Sequence, residues 1–500
     1  MDLTNIYNIT IINCFMSYLV KLINWKNSVE KKVYLITFFG FIWLSVFLYY
    51  LNYFDYSSLV VLLFLIFFAV LIFTCPESGL HLIIIGLMVY ERWFGLLPIN
   101  LFGLNLKLYP LDIIIIITIL AQLWQLTENN LKNYKSDFRI FFIFWLIILI
   151  WLGLSIFWGG NQQLVFSAFK NYLIYPLVIF SLVVLNCQNL ASWQRIFKTL
   201  LLTGLVLVGF IFYGLISGQG LWSDFTPLST PGNRLLAATH AFYLIWPLLL
   251  LISLKSAKIK VFGRIDLLVI FIWIIGLIIS LFRNLWLGFG VGLIFLFFLQ
   301  KLEERGRFLE IFLKTLILAF IIIITLGWLT YAIHGDLDYF KPYLNSIRER
   351  VGVFNPNNLT DDSAKFRLAA WHKVGEILNN HWQLGIGFGQ SLQFQLANND
   401  YQLNVREIHN DYLALFLELG LVGSLGFVIL IINILIKGYK INRQAASADQ
   451  PYLNSALVFL VIFLILAALG TYFETNILHF FFWLSFGLII TYPKLIKQNV

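Results

Sequence analysis

The chain has 500 residues, of which 60% are apolar and only 12% charged, with a mean hydropathy of +0.84. A soluble chain of this length could not hide that much apolar surface in cores, so its solvent is lipid. The net charge of +9 does not argue for nucleic acid, because Lys and Arg sit in short clusters between apolar runs, where they act as topology signals.

No short apolar run followed by a small-residue cleavage site opens the chain, and the first strong apolar run begins near Val33. A cleaved signal peptide is therefore not expected. Apolar runs of about 17 to 25 residues fall near 33–53, 58–74, 79–97, 111–126, 138–158, 165–185, 196–216, 235–254, 265–282, 284–300, 309–331, 411–436, 454–473 and 476–492. The 79–97 run is interrupted by Glu91, Arg92 and Pro98 and is a candidate re-entrant segment. These are continuous helix-length runs, not alternating strands, so the expected fold is all-α, a polytopic transmembrane helix bundle of about 12–14 spans.

Basic residues alternate between loops: 21–32, 132–139, Arg195 with Lys198, 255–264, 301–307, 437–443, and Lys494 with Lys497. The loops between them are poor in Lys and Arg, which predicts a cytoplasmic location for both termini. Cys14, Cys75 and Cys187 all fall on that side without metal-ligand spacing, so neither a disulfide nor a zinc site is expected.

The same count leaves one large extracytoplasmic loop. The predicted division is a cytoplasmic segment 1–32, a first bundle part 33–331, the loop 332–410 and a C-terminal bundle part 411–500. Within the loop, Phe366, Ala370, Val374 and Ile377 recur at helical spacing over 362–380, predicting an amphipathic helix that lies on the membrane or caps the bundle.

Ionisable residues near membrane depth are expensive and point to function. Arg234 precedes the eighth run, Arg283 occupies a very short turn, and His409, Asn410 and Asp411 close the large loop. All are expected at one face. Two arginines at one level suit a diphosphate, since each guanidinium offers a planar fork that keeps its charge. His409 is the residue there whose ordinary pKa suits a proton acceptor, against the plainer role of an interfacial cap. His240, about two turns into its span, is a second candidate, with Thr239 or a neighbouring helix as the alternative partner.

Glu418 needs a partner at its depth in the span, and an arginine or histidine of the same cluster is the expected one. Lys170 and Glu474 near the same face read as structural pairs. Asp336-Leu337-Asp338 has the D-x-D spacing of a metal site but reads better as solvated carboxylates. Gly385, Gly387 and Gly389 follow no strand and read as a tight turn.

The segment His409-Asn410-Asp411-Tyr412-Leu413 through Glu418-Leu419-Gly420-Leu421-Val422-Gly423 resembles the signature of the O-antigen ligase and polymerase superfamily. Arg283-Asn284-Leu285-Trp286-Leu287-Gly288 is similar to its R-x-x-W-L-G turn, and Arg367-Leu368-Ala369-Ala370-Trp371 followed by Leu384-Gly385-Ile386-Gly387 is a third piece in the expected order. The resemblance covers roughly 220–490; Phe282 and Trp382 stand where the family usually has serine or glycine, and proline.

The resemblance implies a metal-independent glycosyltransferase without cofactor in a bacterial inner membrane. Its donor would be a polyprenyl-diphosphate-linked glycan and its acceptor a glycan, lipid or protein. His409 would be the base and Arg283 and Arg234 the diphosphate clamp, all three catalytic, with Arg367, Asn410, Glu418 and His240 as substrate-binding candidates. A repeat-unit polymerase is the alternative within the family. A transporter, for instance of inorganic carbon, is the alternative of another class.

Overall fold

The computed structural model describes residues 57–89, 99–101, 104–106, 110–125, 145–158, 161–217, 236, 238–334, 362–395, 402–405 and 408–497. In chain order its helices are α1 (Ser57–Thr74), α2 (Glu77–Val89), α3 (Pro110–Gln125), α4 (Trp145–Phe157), α5 (Gln162–Asn186), α6 (Leu190–Ser217), α7 (Ala238–Ser256), α8 (Asp266–Ile279), α9 (Arg283–Leu299), α10 (Leu302–His334), α11 (Asp362–His381), α12 (Asp411–Gln444), α13 (Gln450–Ala467) and α14 (Asn476–Lys497). Six of these segments, in α5, α6, α7, α12, α13 and α14, are long and apolar enough to cross a membrane. The run expected at 33–53 lies outside the described residues.

Helix directions follow from short connections and close packing. Gly288 and Gly292 of α9 face Leu466 and Ile462 of α13 in reverse order, so the two helices run antiparallel, and the missing side chains let their backbones approach. At one end of this pair Lys301 donates to the Ser447 hydroxyl at 2.6 Å. At the other, the start of α9 meets the α13–α14 connection. α13 is central, with 89% of its apolar window buried against protein, whereas α12 buries only 39% and lies at the periphery.

Two departures from α-helical geometry stand out among the described residues. Lys170–Ile174 forms a π-helical turn inside α5, with one extra residue per turn, a feature that recurs at functional sites. α12 is broken at Gly420, whose φ of 62° and ψ of −168° are not helical. Both lie within apolar runs that read as unbroken in sequence.

The expected amphipathic helix is α11. Ala370, Val374 and Leu378 are buried, with Phe366 and Ile377 packed beside them, against Ala414 and Leu417 of α12 and a small hairpin. That hairpin pairs β3 (Leu392–Gln395) with β4 (Gln402–Val405), and a second pairs β1 (Ile99–Leu101) with β2 (Leu104–Leu106). Neither ladder was expected from the sequence. The alternation is nonetheless present in β3, where Leu392 and Phe394 are buried and Gln393 between them is exposed.

Candidate functional site

The α8–α9 connection is three residues long and tightly tied. Leu281, buried, takes a left-handed φ of 58°, and its N–H donates to the Ile278 carbonyl at 3.1 Å. The Ser280 hydroxyl and the Trp286 indole N–H both donate to the Leu277 carbonyl, at 2.6 and 2.9 Å. These bonds make Arg283 the first residue of α9, half-buried, in a first turn without an acidic residue. The partial positive charge of the helix N-terminus and the guanidinium therefore add, and an anion there gains from both.

The His409 corner is equally constrained. The Ile408 carbonyl accepts from the Trp371 indole N–H of α11 at 2.9 Å, and the half-buried His409 ring lies edge-on to Phe366 with centroids 6.0 Å apart. His409 has a φ of 53°, a conformation that costs a non-glycine residue about 1–3 kcal/mol and is stored by preference at functional sites. Asn410 caps α12, its side-chain oxygen accepting from Tyr412 N–H and Leu413 N–H, each at 3.1 Å.

A third element joins these two. Asp411, fully buried, accepts through Oδ2 from the N–H groups of Tyr472 at 2.7 Å and Phe473 at 2.8 Å. The Tyr472 hydroxyl accepts from Asn284 Nδ2 at 3.2 Å, so the α13–α14 connection ties His409's corner to Arg283's turn. Burial pushes the Tyr472 phenol above its usual range, the Asp411 charge adds to the rise, and the Arg367 guanidinium of α11 works against it. The same connection is held from the far side by the π-turn of α5, where Asn171 Nδ2 donates to the Glu474 carbonyl at 2.6 Å, and by His479 Nδ1 donating to the Phe473 carbonyl at 2.9 Å. Lys170 lies 5.7 Å from the Tyr175 ring centroid.

The glycine-rich segment after α11 is a plug in the break of α12. Ile386 and Gly387 N–H groups donate to the carbonyls of Leu417 at 2.8 Å and Glu418 at 3.0 Å. Leu421 and Val422 N–H groups donate to Trp382 at 2.8 Å and Gln383 at 3.3 Å. Backbone groups released at Gly420 are thereby satisfied, as lipid requires. A methyl on Gly385 would meet Glu418 carbonyl atoms and Gly420 N at 2.6 Å, so the contact admits only glycine, and Gly385 has a φ of 71° besides. The segment is braced on α4, where Trp151 Nε1 donates to the Leu384 carbonyl at 2.9 Å and Ser155 Oγ accepts from Phe388 N–H at 2.7 Å.

The turn that carries Arg283 and the corner that carries His409 and Asn410 are thus tied together through Asn284, Tyr472 and Asp411. The Glu418 carbonyl is held by the plug. His240 is at the same end but deep in the helix packing, 2% exposed, with Nε2 donating to the Val89 carbonyl at 3.3 Å and its ring edge-on to Phe210 and Tyr243. Arg234 and Asp336-Leu337-Asp338 lie outside the described residues. Among the described residues no group of three or more His, Cys, Asp or Glu side chains is gathered as a metal site would need. Asn284, Trp371 and Asp411 stood inside or beside the quoted motifs without being recognised as partners, and Tyr472, read as the end of the 454–473 apolar run, carried no signal.

The apolar helices define a multi-pass membrane protein. Residues 268–428, from α8 into the second half of α12, match the family model described as O-antigen ligase, so this third of the chain is similar to that family and supports the resemblance to the O-antigen ligase superfamily. The match takes in Arg283, Arg367, both glycine motifs and His409, and ends before Tyr472. No curated protein matches the chain in sequence.

Proposed function

We propose that the protein transfers a glycan from a polyprenyl-diphosphate donor to an acceptor hydroxyl at the outer face of the bacterial inner membrane, with both termini cytoplasmic. The observation that carries this reading is the bonded path from Arg283's turn through Asn284, Tyr472 and Asp411 to His409. It sets an anion-seeking helix start and a proton acceptor in one frame.

In this mechanism Arg283 and Arg234 hold the diphosphate, Arg367 adds positive charge beside them, and a neutral His409 takes the proton of the acceptor hydroxyl. The hydroxyl oxygen bonds to the anomeric carbon as the bond from that carbon to the diphosphate oxygen breaks. Polyprenyl diphosphate departs with that electron pair, and the arginines stabilise the charge developing on it, where fixed positive groups help most. The chemistry requires no metal. Membranes containing His409→Ala and supplied with lipid-linked glycan should show no transfer; retained transfer would remove the base assignment.

The break in α12 beside Glu418 is a feature that transporters also use. Two facts weigh against that use here. Its backbone groups are already occupied by the plug, and counting back about 20 residues from Lys437, one hydrocarbon thickness, puts Glu418 at the edge of the bilayer, away from the midplane. Labelled bicarbonate uptake into proteoliposomes without glycan chemistry would favour the transporter. Between ligase and polymerase, surface glycans of a deletion strain decide: single capped repeats mark a lost polymerase, long glycans left on the carrier a lost ligase.

A further inference from the structure

Tyr472 touches two pieces of the site that are remote in sequence. Its N–H is fixed by the buried Asp411 at 2.7 Å, two residues after His409. Its hydroxyl receives Asn284 Nδ2 at 3.2 Å, one residue after Arg283. The positive charge of the Arg367 guanidinium opposes the rise that burial imposes on the Tyr472 phenol. The tyrosine is 7% exposed and its ring is packed against Phe242 and Phe463, with centroids at 5.5 and 5.8 Å, so its position is set by the core and not by solvent. The backbone that follows it is clamped too, through Phe473 on Asp411 and Glu474 on Asn171.

We propose that Tyr472 is a positioning residue, the strut that fixes the arginine turn at the start of α9 relative to the His409 corner. It rests on the transferase reading above. A rigid strut matters because the two halves of the site act on different atoms of one reaction. The arginine turn already holds the diphosphate in the ground state, before charge develops on it. The histidine takes a proton only as the new bond forms. An error in their separation leaves donor binding intact and lowers the rate of the step that needs both, since misplacement by about 1 Å can cost on the order of 100-fold.

The test uses the full-length protein in proteoliposomes with lipid-linked glycan extracted from the host membranes. Tyr472→Phe keeps the ring and the N–H on Asp411 and removes the hydroxyl, and with it the bond to Asn284. Its kcat should fall about tenfold with the KM for lipid-linked glycan within about twofold of wild type, the signature of an interaction realised in the transition state. Asn284→Ala cuts the same link from the other side and should match it. The double variant should be no slower than either single one, because the link is severed once.

A raised KM at unchanged kcat would make Tyr472 a donor contact and overturn the strut. Multiplying losses in the double variant, or a lowered unfolding temperature with both constants unchanged, would overturn it as well. If wild type transfers glycan and Tyr472→Phe is indifferent, the strut alone falls. If wild type transfers none, the transferase reading falls and takes the strut with it.

Discussion

Arg283 occupies a position where a cation is unfavourable, since a positive side chain at a helix N-terminus opposes the macrodipole by about 0.3–1 kcal/mol. It is kept there by a turn tied through hydrogen bonds to the carbonyls of Leu277, Ile278 and Phe282. Replacing it by lysine retains charge but loses the planar fork, so Arg283→Lys should raise the KM for lipid-linked glycan about tenfold while leaving the fold intact, as measured in proteoliposomes. Asn410 has a structural task as well, because its side-chain oxygen caps α12. Asn410→Ala should therefore cost about 1 kcal/mol of stability, read as a lower unfolding temperature in detergent, without abolishing transfer as His409→Ala should. The positions of Arg283 and His409 were readable because Lys and Arg are scarce on the face opposite the basic loops and ionisable residues are costly near membrane depth. Tyr472 was not readable: its importance comes from a fold that returns it to Asp411 and Asn284, and nothing local marks it.

Element boundaries were largely legible, because apolar runs of membrane-spanning length leave little freedom in where a helix lies. The run expected at 309–331 proves to be part of a helix that starts at Leu302, and the last one continues to Lys497, since charged residues extend a helix beyond the bilayer without breaking it. The π-turn and the Gly420 break escaped detection, because hydropathy does not register backbone geometry. Their cause is tertiary: the break exists where the glycine segment after α11 enters. Gly420→Ala and Gly385→Ala each place a methyl against backbone at a positive φ. Each should cost more than the roughly 1–3 kcal/mol of a strained conformation alone and sharply reduce the yield of folded protein on size-exclusion chromatography in detergent. Gly290→Ala, where nothing lies within 4 Å of the added methyl, should leave that yield unchanged.

For the whole molecule, antiparallel packing collects the Lys255–Arg264 segment, Lys301 and Arg305, and Lys437 to Arg443 at the end away from the site. The proposed orientation predicts that a cysteine at exposed Arg264 is modified by a membrane-impermeant maleimide only after the cells are opened, whereas one at Lys373, on α11, reacts in spheroplasts. Reaction of both from the same side would contradict the orientation. The burial gradient, with α7, α13 and α14 mostly enclosed and α12 mostly exposed, was not readable from hydropathy, because lipid and protein interior favour the same apolar residues.

The plugged break also has a bearing on synthesis. Every group that completes the α12 ladder at Gly420, from Trp382 to Gly387, and every brace of that plug on α4, at Trp151 and Ser155, lies earlier in the chain than the break itself. A ribosome therefore delivers the filler and its support before the helix that needs them. α12 can partition into lipid with its exposed backbone groups met on arrival, and a chain permuted to start after Gly389 would have to insert it with them unmet.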